Sequence, residues 1–207
     1  MDTAVLSKSE LTFAAIVDAA LDMAAAEGIG RLSLGEIAKR MDISKSGVFS
    51  RVGSLEALQM AVLDEFDRRF VEAVFQPAMT QPRGLPRLHA LMENWIKRIG
   101  NARELNSCLY IAGSFEFDDV SGSLRDRLEQ GVLRWRDTLR RTVLQAQEAG
   151  QLRPDTDAEQ LVFEIYSLIV GLMHDVRFLH DPQTADRMRN AYARLISTYR
   201  SFHYHAG

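Results

Sequence analysis

Apolar residues recur along this chain at spacings of three and four, and no segment alternates apolar with polar positions as a half-buried strand does. The pattern predicts an all-α fold. Phe13, Ile16, Val17, Ala20, Leu21 and Ala24 form one stripe, opened by a Ser7/Glu10 capping box and ended by Gly28. Ser33 with Glu36 reads as a second capping box, opening a short helix to about Met41. A third helix follows Ser44, and Ser54 caps a fourth that runs to about Phe75, ahead of Pro77. The stretch 76–86 (QPAMTQPRGLP) is rich in turn formers and reads as a connection. Beyond it the spacing predicts helices over about 86–100, 102–116, 122–149, 157–180 and 183–203. Pro86 suits a first turn, and Thr156 with Glu159 and Asp181 before Pro182 mark the last two starts. Nine helices result, four clustered at the N-terminus and five mostly longer ones after them.

The later helices differ in how much they must bury. Helix 122–149 carries a single stripe at Leu124, Leu128, Val132, Trp135, Leu139 and Val143. Helix 157–180 is apolar on more than one face, through Leu161, Val162, Ile165, Tyr166, Leu168, Ile169, Leu172, Met173 and Val176. Such a helix buries one face in its own core and needs a second surface for the other. Helix 183–203 adds Met188, Ala191, Tyr192, Leu195, Tyr199 and Phe202.

Composition narrows the class. With 46% hydrophobic and 26% charged residues in 207, the chain is of globular type. No run of eighteen apolar residues exists to span a membrane. The opening MDTAVLSKSE lacks the basic and apolar regions of an export signal, so a cytoplasmic protein is expected. Cys108 is the only cysteine, which excludes an intramolecular disulfide. With no basic neighbour in sequence, it reads as an inert buried thiol rather than a redox switch. The net charge of −3 does not advertise a nucleic-acid binder. Residues 39–51, however, set Lys39, Arg40, Lys45 and Arg51 against Asp42 alone, and phosphate contacts need charge only where protein meets duplex.

That basic patch falls inside a motif, SLGEIAKRMDISKSGVFSRVGSLEAL at 33–58. Leu34, Ile37, Ala38 and Met41 give an inward face, Asp42-Ile43 a tight corner, and Ser44 a cap for a helix whose Val48 and Val52 point inward. Two short helices meeting at such a corner form a helix-turn-helix. Asp42 sits where the corner calls for φ > 0, a region Asp tolerates better than most residues. The second helix presents Lys45, Ser46, Phe49, Ser50 and Arg51, a mix suited to base edges and phosphates. The plainer readings are solvated charges at Lys45 and Arg51 and an inward-packed Phe49. Gly47 permits close approach, either to DNA or to the preceding helix.

In spacing, this segment resembles the TetR family of bacterial transcriptional regulators: Ser33, Ile37-Ala38, Asp42-Ile43-Ser44, Phe49, Arg51, Val52 and Glu56-Ala57-Leu58 follow its signature, and Ile16, Ala19-Ala20 and Gly28 match its first helix. The match covers about residues 10–63. Family members usually carry Tyr at Phe49, His or another polar residue at Arg51, and a phosphate-holding Lys at Leu55. Without that lysine, the backbone amides at the start of the fourth helix remain available to a phosphate.

The resemblance implies a DNA-binding head at residues 1–53 (Ser33, Ser44, Lys45, Ser46, Gly47, Phe49, Ser50 and Arg51 at the DNA) and an effector-binding and dimerisation part at 54–207, with the fourth helix connecting. It implies a homodimer through the helices at 157–180 and 183–203, a palindromic double-stranded operator, and repression relieved by a small-molecule effector. A pocket is then expected among the fifth to eighth helices. Its candidate lining is Trp95, Cys108, Tyr110, Phe115, Phe117, Trp135, Tyr166, Met173 and His174, for each of which plain core packing is the alternative. No cofactor or metal is expected: His174, Asp175 and His180 are poorly spaced to share one ligand, and His203 and His205 lie in a terminal tail. No catalytic motif is present, so an enzyme is not expected. The rival readings are a constitutive DNA binder with a filled core, and a helical binding module or enzyme in which 33–58 is only scaffold.

Overall fold

At Ser7, both halves of the predicted capping box form: Ser7 Oγ accepts the Glu10 amide at 3.3 Å, and Glu10 accepts the Ser7 amide at 2.7 Å. The computed structural model describes residues 7–100 and 108–201. Helix α1 (Lys8–Glu27) buries Ile16, Val17, Ala20, Leu21 and Ala24 as the stripe predicts. Phe13, one turn nearer the N-terminus, is 39% exposed, beyond the reach of the core. After Gly28 a 3₁₀ turn leads into α2 (Leu34–Arg40), α3 (Lys45–Val52) and α4 (Leu55–Phe70). Ser33, Ser44 and Ser54 cap these three, each accepting the backbone N–H three residues on. At Ser33 only this half forms; the reciprocal Glu36 bond of a capping box is missing.

Pro77 does not stop the fourth helix at Phe75. A π-helical turn (Val71–Phe75) follows α4 and passes into α5 (Gln76–Met79), so the rod runs to Met79. Proline leaves a carbonyl one turn back without its donor and crowds it. The wider π turn just ahead gives room, and Asn94 Nδ2 donates at 3.1 Å to the Val74 carbonyl, next to the one that loses its donor.

The body continues with α6 (Leu85–Gly100), α7 (Leu109–Glu116), α8 (Ser123–Glu148), α9 (Ala158–His174) with a π turn at Asp175–Leu179, and α10 (Thr184–Tyr199). Counting α4 through α5 as one rod, the described residues form nine helices and no named strand. The part of the predicted helix 102–116 before Cys108 lies outside the described residues, as do Phe202, His203 and His205. Two starts shift. Asp157, not Thr156, caps α9, because its carboxylate accepts two amides, Glu159 and Gln160. Helix α10 begins three residues after Asp181, whose side chain instead accepts the Gln183 amide in the preceding turn.

One cluster of buried side chains runs from Ile16 to Ile196, through head and body alike. Helix α1 packs along α4, α7 and α9 pack on α8, and α10 packs on α9 and α6.

Candidate nucleic-acid interface and cavity

The corner between α2 and α3 is built as its residues require. Asp42 takes φ 54°, and the Ile43 amide reaches back to Ala38 O at 3.0 Å. Val48 (0% exposed) and Val52 (7%) hold α3 against the core with Ile37 and Ala38. The opposite face stands clear: Lys45, Ser46, Ser50 and Arg51 are exposed and Phe49 is 56% exposed, so the inward-packed alternative for Phe49 fails. Ser44 Oγ holds the Gly47 amide at 3.0 Å and meets Ser46 Oγ at 3.1 Å, while Ser50 donates to Gly47 O at 2.9 Å. A Cβ at Gly47 would press on Ser44 Oγ rather than on α2, so this glycine makes room for the cap. Arg51 Nη1 donates to Ser9 Oγ at 2.9 Å, a tether from α3 to the start of α1 that sequence reasoning missed. Leu55, in the position where lysine is usual, is half-buried.

Between α4 with its π turn, α6, α7, α8 and α9 lies a cavity of about 250 Å³. Of the residues named for a pocket, Trp95, Cys108, Tyr110, Trp135 and Tyr166 border this cavity. Phe115, Phe117, Met173 and His174 do not. Phe115 lies on the same face of α7 as Cys108 but past the end of the cavity, and is 66% exposed. Phe117 packs against Gly30. Met173, two turns beyond Tyr166, is core, 4% exposed. His174 turns outward and meets Asp175 at 3.0 Å.

Missed altogether were Phe66, Asp67, Phe70 and Val71 of α4 and its π turn, Phe75, and Arg134 and Thr138 of α8. The available signal was the Phe66/Phe70 pair, one turn apart on a helix already anchored to the head by residues nearer its start.

The cavity wall is aromatic with one polar side. Trp95 and Trp135 meet edge to face at 4.5 Å between centroids, and Phe70 meets them at 5.4 and 5.1 Å. Gly131 lets the Tyr110 ring lie against α8, where any side chain would collide. On the polar side Tyr110 donates to Asp67 at 2.7 Å and accepts from Arg127 at 2.6 Å. Asp67 also accepts from Arg127 at 2.7 Å and Arg134 at 3.1 Å. Burial and the Asp67 carboxylate push the Tyr110 phenol well above its usual range. Burial pushes the Cys108 thiol up to about 11, so its nucleophilic thiolate is scarce.

Several described contacts connect body to head, among them Arg177 Nη2 donating to Ala26 O at 3.4 Å. Arg69 of α4 pairs with Asp18 of α1 at 2.5 Å. Gln59, buried in α4, donates to Ile29 O at 3.1 Å. Glu116 at the end of α7 accepts the Gly30 amide at 2.9 Å and fills the space over Gly28. Elsewhere on the body, α9 and its π turn leave Phe163 56%, Phe178 75% and Leu179 55% exposed.

No described helix is long and apolar enough to cross a membrane. Residues 84–192 match the family model described as Tetracyclin repressor-like, C-terminal domain. No curated protein matches the chain in sequence. Its fold is that of solved TetR-family transcriptional regulators. One from Cytophaga hutchinsonii superposes with a TM-score of 0.79 at 20% identity, covering 95% of this chain and 98% of that one. One from Chloroflexus aurantiacus gives 0.77 at 22% identity, over 93% and 96%. AibR, solved in complex with isovaleryl coenzyme A and operator DNA, gives 0.70 at 19%, over 92% and 99%. With a family match across more than half of its length and a helix-turn-helix ahead of it, this chain belongs to the TetR family of transcriptional regulators.

Proposed function

We propose that the protein is a homodimeric repressor that holds a palindromic operator through α3 and releases it when a small molecule fills the cavity. The observation that carries the reading is the two-sidedness of α3, with Val48 and Val52 fully packed and the basic and aromatic residues opposite them exposed. Lys45 and Arg51 serve phosphates, Phe49 an apolar contact such as a thymine methyl, and the hydroxyls of Ser33, Ser44, Ser46 and Ser50 short polar contacts, with Gly47 at the closest approach. The head comprises residues 1–53 and the effector and dimer part 54–207. Two-fold pairing through α9 and α10 sets two recognition helices about 34–36 Å apart, or at a wider related spacing, to match successive major grooves.

Release follows from what α4 touches along its length. Phe66, Phe70 and Val71 line the cavity, while Gln59 and Arg69 grip α1 and the turn after it. An effector that fits one position of this rod better than another shifts the spacing of the heads by its difference in affinity. The cavity supports this reading over a constitutive binder with a filled core. AibR, solved with isovaleryl coenzyme A and operator DNA, is a protein of the same fold that takes both a small molecule and DNA.

The test is operator affinity of Lys45→Ala/Arg51→Ala, measured by fluorescence anisotropy on DNA from upstream of the protein's own gene. Affinity should collapse, with the slope of log K against log salt reduced by about one per lost phosphate contact. Dimerisation and ligand affinity should persist. Unchanged DNA affinity would reduce 33–58 to scaffold.

A further inference from the structure

The cavity's volume, about 250 Å³, lies just below the usual range for drug-sized ligands, about 300–1,000 Å³, so its occupant is small. Two independent features restrict its chemistry further. One is charge. Arg127 lies 5.8 Å over the Tyr110 ring and Arg136 5.6 Å over Tyr166, and both rings line the cavity. Arg134 lines it directly. Against these guanidinium groups the described carboxylates nearby are Asp67, already shared by Arg127 and Arg134, and Asp64, which pairs with Arg127 and is 72% exposed. Among the described residues Arg127, Arg134 and Arg136 outnumber Asp64 and Asp67, and across a poorly screening medium that surplus favours an anion over a cation.

The second feature is an orphaned donor. Trp135 Nε1–H is buried and has no acceptor among the described residues. An indole nitrogen only donates, and a buried donor left unpaired is costly, so the site is incomplete without an acceptor. The mouth is legible too: Arg134 (side chain 55% exposed) and Val71 (40% exposed) both border the cavity and both reach solvent. An anionic group at Arg134 keeps part of its hydration, which avoids the cost of burying a full charge. The edge-to-face packing of Phe70, Trp95 and Trp135 behind it suits a flat apolar body.

From this we infer that the effector is a small aromatic carboxylate, its ring against Trp95 and Trp135 and its carboxylate toward Arg134. The inference rests on the effector-cavity reading above.

Both tryptophans of the chain line the cavity, so intrinsic fluorescence excited at 295 nm reports occupancy directly. Full-length protein is titrated with benzoate, phenylacetate and 3-phenylpropionate, each beside its primary amide and the matched aralkyl ammonium. In low salt the best carboxylate should bind on the order of tenfold more tightly than its amide, as a hydrogen bond to a charged partner exceeds one between neutral groups. The ammonium compounds should bind worst. Arg134→Gln should bring the carboxylate-to-amide ratio near one, and Trp135→Phe should weaken acid and amide alike. Amides or ammonium compounds matching the acids would overturn the charge inference and leave the effector cavity standing. A preference that survives in Arg134→Gln would overturn the placing of the carboxylate. Silence from every compound at millimolar concentration would instead remove the effector-cavity reading itself.

Discussion

Phe49 offers its ring to solvent on a helix whose other face is fully packed, so it contributes little to the core and is free to serve a partner. Family members usually carry tyrosine there. Phe49→Tyr restores a hydroxyl for a phosphate oxygen and should tighten operator binding by about 0.5–1.5 kcal/mol, a few-fold to roughly tenfold. Phe49→Ala should weaken it on the same DNA. If neither substitution moves the anisotropy midpoint, Phe49 is not in the interface. Residues near each other in sequence were the legible ones here: the caps, the Asp42 corner and the outward set on α3 all follow from spacings of three and four. The Ser9–Arg51 tether joins residues 42 apart and leaves no periodic trace.

Helix α7 is short, yet its first turn reaches the cavity with Cys108 and Tyr110 and its last residue reaches the head. Glu116 is seated over a backbone that only glycine suits, because Gly28 takes φ 104° and a Cβ there would collide with the carboxylate. Gly28→Ala should therefore cost about 1–3 kcal/mol, lowering the melting temperature by roughly 2–4 °C per kcal/mol in a chain of this size. Gly122 also has positive φ but no neighbour within 4 Å, so Gly122→Ala isolates the backbone share. Adding Glu116→Ala to Gly28→Ala should recover the excess; equal losses for both glycines would mean that the Glu116 seat carries no steric load. The rod from α4 to α5 teaches the complementary lesson. Reading Pro77 as a stop was sound for an isolated helix, but a π turn absorbs the proline.

For the whole molecule, the exposed stripe of α9 and its π turn runs through Phe163, Ser167, Gly171, His174 and Phe178, while the inner face buries Leu161, Ile165, Ile169 and Leu172. Apolar side chains this large on one surface fit the proposed seam with a second copy. Sedimentation should give a dimer for the native chain and a monomer for Phe163→Asp, with unchanged helical circular dichroism. Because half-sites are held jointly, the variant should also lose most of its operator affinity. A Phe163→Asp protein that stays dimeric would move the seam elsewhere.

Read from sequence alone, this protein is already an all-helical regulator with a helix-turn-helix at its N-terminal end, because periodicity, caps and corners are decided by residues within a turn or two of one another. The cavity was decided only by tertiary packing. It is space left between helices far apart in the chain, bounded by Phe66, Phe70 and Val71 of a rod that had looked like a mere connector, and polarised by an Asp67–Tyr110–Arg127 set joined across 43 and 60 residues. Residues of the right type but a turn or two too far along, Phe115 and Met173, fell to solvent and to core because a helix face names a direction and not a distance along the axis.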